Sequence, residues 1–118
     1  MKITIKTPFF PTESKEKIIN ALEKIFQIDF KINNREVYAE TEKIESLALI
    51  KQKIADARIK NTVLYLLEKN RDGKNSTLEL NKQTFLKGKI HFFEEKYPLG
   101  NVTIQFDDVS TIAMYFSN

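Results

Sequence analysis

Residues 80–100, LNKQTFLKGKIHFFEEKYPLG, gather the side chains of this chain that are best suited to bind a nucleic acid. Between Glu79 and Glu94 there is no acidic residue, whereas three lysines contribute positive charge. Ammonium groups contact phosphates, and imidazole or phenyl rings stack on unpaired bases. The stretch therefore predicts an RNA-binding surface. Its candidate residues are Lys82, Gln83, Lys87, Lys89 and His91.

An ordinary strand with solvated lysines and a buried Phe92 explains the same stretch more simply. Three lysines that neutralise three phosphates of a single strand give a salt slope of about −2, so a fourfold rise in salt lowers affinity roughly 20-fold. Such a surface alone supports weak binding without sequence preference. The sequence leaves the structural and the RNA-binding interpretations open.

Two acidic pairs, Glu94 with Glu95 and Asp107 with Asp108, could in principle form metal or catalytic sites. Glu94 and Glu95 follow His91 closely, but neighbouring side chains in an extended segment point apart, so we expect His91 at a surface or interface. Asp107 and Asp108 could ligate Mg²⁺ with a further carboxylate. A helix cap explains this pair more simply. We therefore expect no metal site.

The composition excludes several kinds of chemistry. The chain has no Cys and a single His, which removes disulfides, thiolate metal sites, cysteine nucleophiles and the usual zinc ligand sets. The three Gly are too far apart for a phosphate-binding loop. We expect a protein that is not an enzyme and needs no cofactor or small-molecule ligand. The net charge of +3 is mild for a protein dedicated to nucleic acid.

Hydrophobic periodicity predicts the elements that position these residues. An apolar stripe of Ile18, Leu22, Ile25 and Phe26 marks a helix that Thr12 or Ser14 can cap, and a second helical region starts near Thr41 and breaks near residues 56–61. A short helical turn ends at Gly88, and Asp107 or Asp108 caps a last helix. Strands are predicted at residues 2–7, 28–32, 36–40, 75–80, 89–93 and 101–106.

This order, β-α-β-β-α-α-β-β-β-α with the short helical turn before the fifth strand, predicts a single α+β domain over residues 1–118. The sheet should be largely antiparallel, with helices on one face. Tyr38 and Phe93 are candidate contacts of a homodimer formed through the other face. The residues predicted on that open face are Lys2, Thr4, Lys6, Tyr38, Lys89, His91, Phe93, Thr103 and Gln105.

No apolar run approaches the roughly 20 residues that span a bilayer, and the first residues lack the apolar core of a signal peptide. We therefore expect a cytoplasmic protein without a membrane partner. Its expected partners are RNA and a second copy of the chain.

Five strings recur in a known order: PTES at 11–14, ARIKNT at 57–62, LNKQTF at 80–85, GKIHFFEE at 88–95 and PLGNVTI at 98–104. Together they resemble an uncharacterised archaeal protein family that is grouped with RNA-binding proteins. That family is similar in fold to the ribosomal protein that binds five-S RNA. The resemblance covers nearly the whole chain, and it implies an RNA-associated role without carrying over any catalytic or ligand residue.

Overall fold

The structure, a computed structural model, describes residues 1–90, 92 and 100–118. These residues form five strands and six helical segments. The strands are β1 (Ile3–Pro8), β2 (Lys31–Asn33), β3 (Glu36–Thr41), β4 (Ser76–Asn81) and β5 (Asn101–Phe106). The helices are α1 (Lys15–Phe26), α2 (Ala48–Ala57), α3 (Lys60–Lys69), α4 (Lys82–Leu86) and α5 (Val109–Ser117), with a 3₁₀ turn at Ile44–Leu47 before α2.

Local chemistry sets the ends of these elements. The Ser14 side chain accepts a hydrogen bond from the Lys17 N–H at 3.4 Å and so caps α1, as predicted. Arg58 adopts a left-handed conformation with φ of +57°, which separates α2 from α3 within the predicted break. Asn34, with φ of +58°, turns the hairpin between β2 and β3.

The five strands form one antiparallel sheet in the order β2-β3-β1-β5-β4. β1 is central, and its Ile5 lies opposite Ala39 of β3 and Ile104 of β5. These three side chains are buried, so the register places apolar residues of neighbouring strands on the same face. The predicted α+β fold with an antiparallel sheet is confirmed.

All described helices cover the same face of the sheet. The inward side chains of the strands join residues from every helix in one apolar core, including Leu22 of α1, Ile54 of α2, Val63 of α3, Phe85 of α4 and Ile112 of α5. The opposite face carries strand side chains that are half-buried or exposed. None of the helices among the described residues is long and apolar enough to cross a membrane.

The segment after α4 was predicted as a strand over residues 89–93. Of its described residues, Lys89 and Ile90 lie outside any strand, whereas Phe92 forms an isolated antiparallel bridge with Leu80 of β4. His91 and Phe93 lie outside the described residues. The chain therefore returns to the outer side of β4 before it enters β5.

Candidate nucleic-acid interface

Lys82, a predicted phosphate contact, is not a surface residue. Its side chain is completely buried, and its Nζ lies 2.6 Å from Glu13 Oε1. The ammonium group also donates to the Pro8 carbonyl and lies 5.5 Å from the centre of the Phe10 ring. The predicted role of Lys82 is thus corrected, because an ammonium group enclosed by these partners cannot reach an RNA phosphate in the folded protein.

The remaining predicted residues divide into two groups. Gln83, Lys87 and Lys89 are exposed, so they stay candidates. His91, with Glu94 and Glu95, lies outside the described residues. Lys82 is the first residue of α4 and is buried, whereas Lys87 directly follows α4 and is exposed. The predicted convergence of Lys82, Lys87 and Lys89 on one patch is therefore wrong for Lys82.

Lys87 instead lines a groove on the helical side of the molecule, which we call the lysine groove. It has a volume of about 450 Å³ and is bounded by α1, α2 and the end of α4. Two further lysines, Lys24 of α1 and Lys53 of α2, line the same groove. Its described lining residues are Asn20, Ala21, Lys24, Ile25, Leu49, Lys53, Leu86, Lys87 and Gly88.

No acidic side chain is among these described lining residues. None of Lys24, Lys53 and Lys87 forms an ion pair with another described residue. Three like charges around one groove repel each other at short range, and an anion bound between them removes that repulsion. The electrostatics of the groove therefore favour an anionic ligand.

Carboxylates close in sequence to the groove lysines are bonded elsewhere. Glu23 precedes Lys24, but its Oε2 accepts a hydrogen bond from the Phe30 N–H at 3.0 Å. Asp56 follows Lys53 by three positions, but its Oδ1 accepts from the Gln52 side chain at 2.8 Å. Neither carboxylate lines the groove, so the charged residues among its described lining are the three lysines.

The turn after α4 forms one wall of the groove. Gly88 adopts φ of +85°, a conformation that favours glycine, and the N–H groups of Gly88 and Lys89 donate to Phe85 and Thr84 carbonyls at the helix end. A Cβ at Gly88 would lie 3.6 Å from Lys53 Nζ. The backbone of this turn thus lies beside the Lys53 ammonium group, which places Lys87 and Lys53 at a common wall.

The open face of the sheet has a different charge pattern. Tyr38 lies on it between Lys31 of β2 and Lys6 of β1, and the row continues through Thr103 to Glu79 of β4. Lys2, directly before β1, pairs with Glu40 at 3.4 Å. The described charges of this face carry no positive excess, because three cations stand against four anions. The cations are Lys2, Lys6 and Lys31, and the anions are Glu36, Glu40, Glu79 and Asp107.

Sequence reasoning missed Lys24, which directly follows Glu23, and it also missed Lys53, which lies in residues 46–55, a stretch without acidic residues. A search for windows without acids selects only local charge excess, whereas the lysine groove joins three separate segments. Both lysines could have been found from their position next to an apolar helix residue, because Lys24 directly precedes the buried Ile25 and Lys53 directly precedes the buried Ile54. Both lysines therefore border the apolar stripe of their helix, where adjacent helices meet.

Asp108 caps the last helix, as the sequence predicts. Its carboxylate accepts hydrogen bonds from the Thr111 hydroxyl at 2.9 Å and from the Thr111 N–H at 3.2 Å. These two bonds lower the pKa of Asp108 from its ordinary value. Among the described residues, no cluster of three or more His, Asp or Glu side chains could hold a metal ion.

No family model matches the chain. Two archaeal relatives do: a UPF0201 protein of Sulfurisphaera tokodaii is 32% identical over 116 residues, covering 91% of this chain and 80% of the relative. A protein of Archaeoglobus fulgidus named UPF0200/UPF0201 is 32% identical over 108 residues. That match covers 90% of this chain, which spans 32% of the length of the Archaeoglobus relative.

A solved structure supports the same relationship. The crystal structure of a protein described as an uncharacterised UPF0201 protein superimposes with a TM-score of 0.75 at 30% identity. The alignment covers 90% of this chain and 81% of that protein. The Sulfurisphaera protein and the solved structure each agree with this chain over most of both chains. The chain therefore belongs to the UPF0201 family, whose matched members are archaeal.

Proposed function

We propose that this protein binds RNA without catalysing a reaction, and that the lysine groove is its RNA-binding site. The observation that carries the proposal is the meeting of Lys24, Lys53 and Lys87 at one groove whose described lining contains no carboxylate. Lys87 comes from the stretch that the sequence indicates, and the other two lysines replace Lys82. Gln83 at the start of α4 and Lys89 after its end are also exposed and are the next candidates for phosphate contact.

The net charge of the open sheet face and that of the lysine groove indicate which of the two surfaces binds RNA. The open sheet face carries three described positive charges against four negative ones, so it does not attract a polyanion. The lysine groove carries only positive charge among its described lining residues. RNA is therefore expected on the helical side.

The resemblance to an archaeal family grouped with RNA-binding proteins, similar in fold to the five-S-RNA-binding ribosomal protein, supports RNA as the type of ligand. Fold likeness alone is a weak argument for function. The charged groove supplies the argument from this chain's own residues.

Binding of a fluorescent single-stranded RNA, followed by anisotropy at several salt concentrations, tests the proposal. We expect micromolar or weaker affinity and a salt slope of about −2, because three lysines neutralise three phosphates. Lys53→Glu and Lys87→Glu should each weaken binding more than tenfold, and a neutral Lys53→Gln should flatten the slope by about 0.7.

Lys69→Glu is the matched control, because Lys69 is exposed at the end of α3 and does not line the groove. It changes the net charge of the protein as much as Lys53→Glu does. Absence of binding at low salt, or equal losses in the groove variants and in Lys69→Glu, would contradict the proposal.

A second candidate function is self-association through the open sheet face, with Tyr38 near its centre. A two-fold interface brings the same face of both copies together, so a face that carries charges of both signs can pair its cations with the anions of the second copy. Phe93, the other predicted contact, lies outside the described residues. Light scattering checks this candidate: a dimer that Tyr38→Arg converts to monomer supports it, and a monomeric wild-type protein at micromolar concentration excludes it.

A further inference from the structure

We infer that the lysine groove binds the phosphorylated end of an RNA strand in preference to its interior. The inference rests on the proposed function and specifies which part of the strand the site takes. It follows from three features of the groove: its size, the clustering of its cations and its apolar floor.

The size of the groove suits one terminal unit of a strand. Its volume of about 450 Å³ lies in the lower part of the range of small-ligand sites. The three lysines come from α1, α2 and the turn after α4, so they surround a single cavity instead of following one element in a line. Such an arrangement concentrates positive charge at one place.

Concentrated positive charge distinguishes a terminal phosphate from an internal one. An internal phosphodiester carries one negative charge, whereas a terminal phosphate monoester carries about 1.5 to 2 at neutral pH. The additional charge lies at the strand end, which can enter the groove and face all three lysines. We expect it to increase affinity about tenfold when it faces three ammonium groups.

The floor of the groove provides a surface for the rest of the terminal nucleotide. Ile25, Leu49 and Leu86 line the groove between the lysines, and Leu49 is 40% exposed, so it offers apolar surface to a bound molecule. No aromatic ring is among the described lining residues, so strong stacking on a particular base is not expected. The groove should therefore accept any base at the phosphorylated end.

The test compares single strands of identical sequence in anisotropy titrations with the full-length protein. One strand has hydroxyl groups at both ends, and two others carry a phosphate at the 5′ or at the 3′ end. A fourth strand has hydroxyl ends and is one nucleotide longer, so that it nearly matches the total charge of the phosphorylated strands. This last strand separates the position of the charge from its amount.

We expect at least one phosphorylated strand to bind about tenfold more tightly than the longer hydroxyl strand. Lys53→Glu should remove this preference, whereas Lys69→Glu should keep it. The preference should also shrink near pH 5, because protonation removes the second charge of a monoester, whose pKa is about 6.

Equal affinities of the phosphorylated and the longer hydroxyl strands, with binding still weakened by Lys53→Glu, would overturn the inference and leave RNA binding in place. A preference that persists in Lys53→Glu would also overturn it. No binding of any strand at low salt would contradict the proposed function itself, and the inference with it.

Discussion

The Nζ atom of Lys82 lies 2.6 Å from Oε1 of Glu13, although the two residues are 69 positions apart in the chain. The lysine is fully buried, and the Glu13 side chain is 14% exposed. The same Glu13 oxygen accepts a hydrogen bond from the Phe10 N–H at 3.0 Å. The pair therefore ties the loop between β1 and α1 to the start of α4, the helix that leads to the lysine groove.

Replacing Glu13 by Gln should destabilise the fold by about 3 kcal/mol, because it takes the negative charge away from a buried ammonium group. The variant keeps the size of the side chain and an oxygen for the Phe10 N–H, so the loss reports mainly on charge. Urea unfolding followed by circular dichroism measures the change in the free energy of unfolding.

The double variant Glu13→Gln/Lys82→Met is the control for this prediction. It removes the buried positive charge as well, so it should be more stable than Glu13→Gln alone. If the double variant is no more stable than Glu13→Gln, or if Glu13→Gln leaves the urea midpoint of unfolding unchanged, the charge pair contributes little to stability.

Gly100→Ala should destabilise the protein by about 3 kcal/mol, because two costs combine. Gly100 has φ of +83°, and a Cβ there would lie 2.7 Å from Pro8 Cγ. Gly73→Ala is the matched variant: its φ is +63°, but no atom lies within 4 Å of the new Cβ. It should cost only the backbone strain of about 1 kcal/mol. Equal unfolding midpoints for the two variants would show that the contact with Pro8 relaxes freely.

Local patterns predicted most of the fold. The alternation of Ile3 and Ile5 with polar residues predicted β1, because one side of the sheet is covered and the other is not. Thr12 or Ser14 and Asp107 or Asp108 were predicted as caps, and Ser14 and Asp108 are the ones that accept a hydrogen bond from an N–H three residues away. Strands and helix caps that depend on residues close together in the chain can therefore be predicted from the sequence.

The candidate site depends on contacts that are distant in sequence, and it was predicted only in part. Lys82 resembles a solvated lysine until Glu13 is brought next to it by the fold. Its position three residues before the buried Phe85 was the available sign that both share the inward face of α4. Lys24 and Lys53 join Lys87 only because α1, α2 and α4 pack together, an arrangement that no local charge count reports.

Asp108→Ala should lower the melting temperature by about 2–5 °C at neutral pH, because the start of α5 loses its cap. The Thr111 hydrogen bonds lower the pKa of Asp108 in the folded state below its unfolded value. The stabilisation is thus fully present above the unfolded pKa and is lost as the pH falls through the folded pKa. The difference from wild type should shrink below pH 3.8, the ordinary value for this group. Asp29→Ala, at an exposed carboxylate, controls for the general effect of acid, and a difference from wild type that does not change with pH would contradict the prediction.

Lys53→Gln should raise the free energy of unfolding by about 0.3 kcal/mol at low salt while it weakens RNA binding. Lys24, Lys53 and Lys87 line one groove with no described carboxylate among them, so the loss of one positive charge relieves repulsion in the folded state. The gain should disappear at about 1 M salt, where screening reduces the repulsion. Thermal unfolding of Lys53→Gln and Lys69→Gln at low and high salt measures it. Residues that are kept for ligand binding are expected to lower the stability of the protein when no ligand is bound. A loss of stability in Lys53→Gln at low salt would therefore mean that Lys53 stabilises the fold, and it would contradict this prediction.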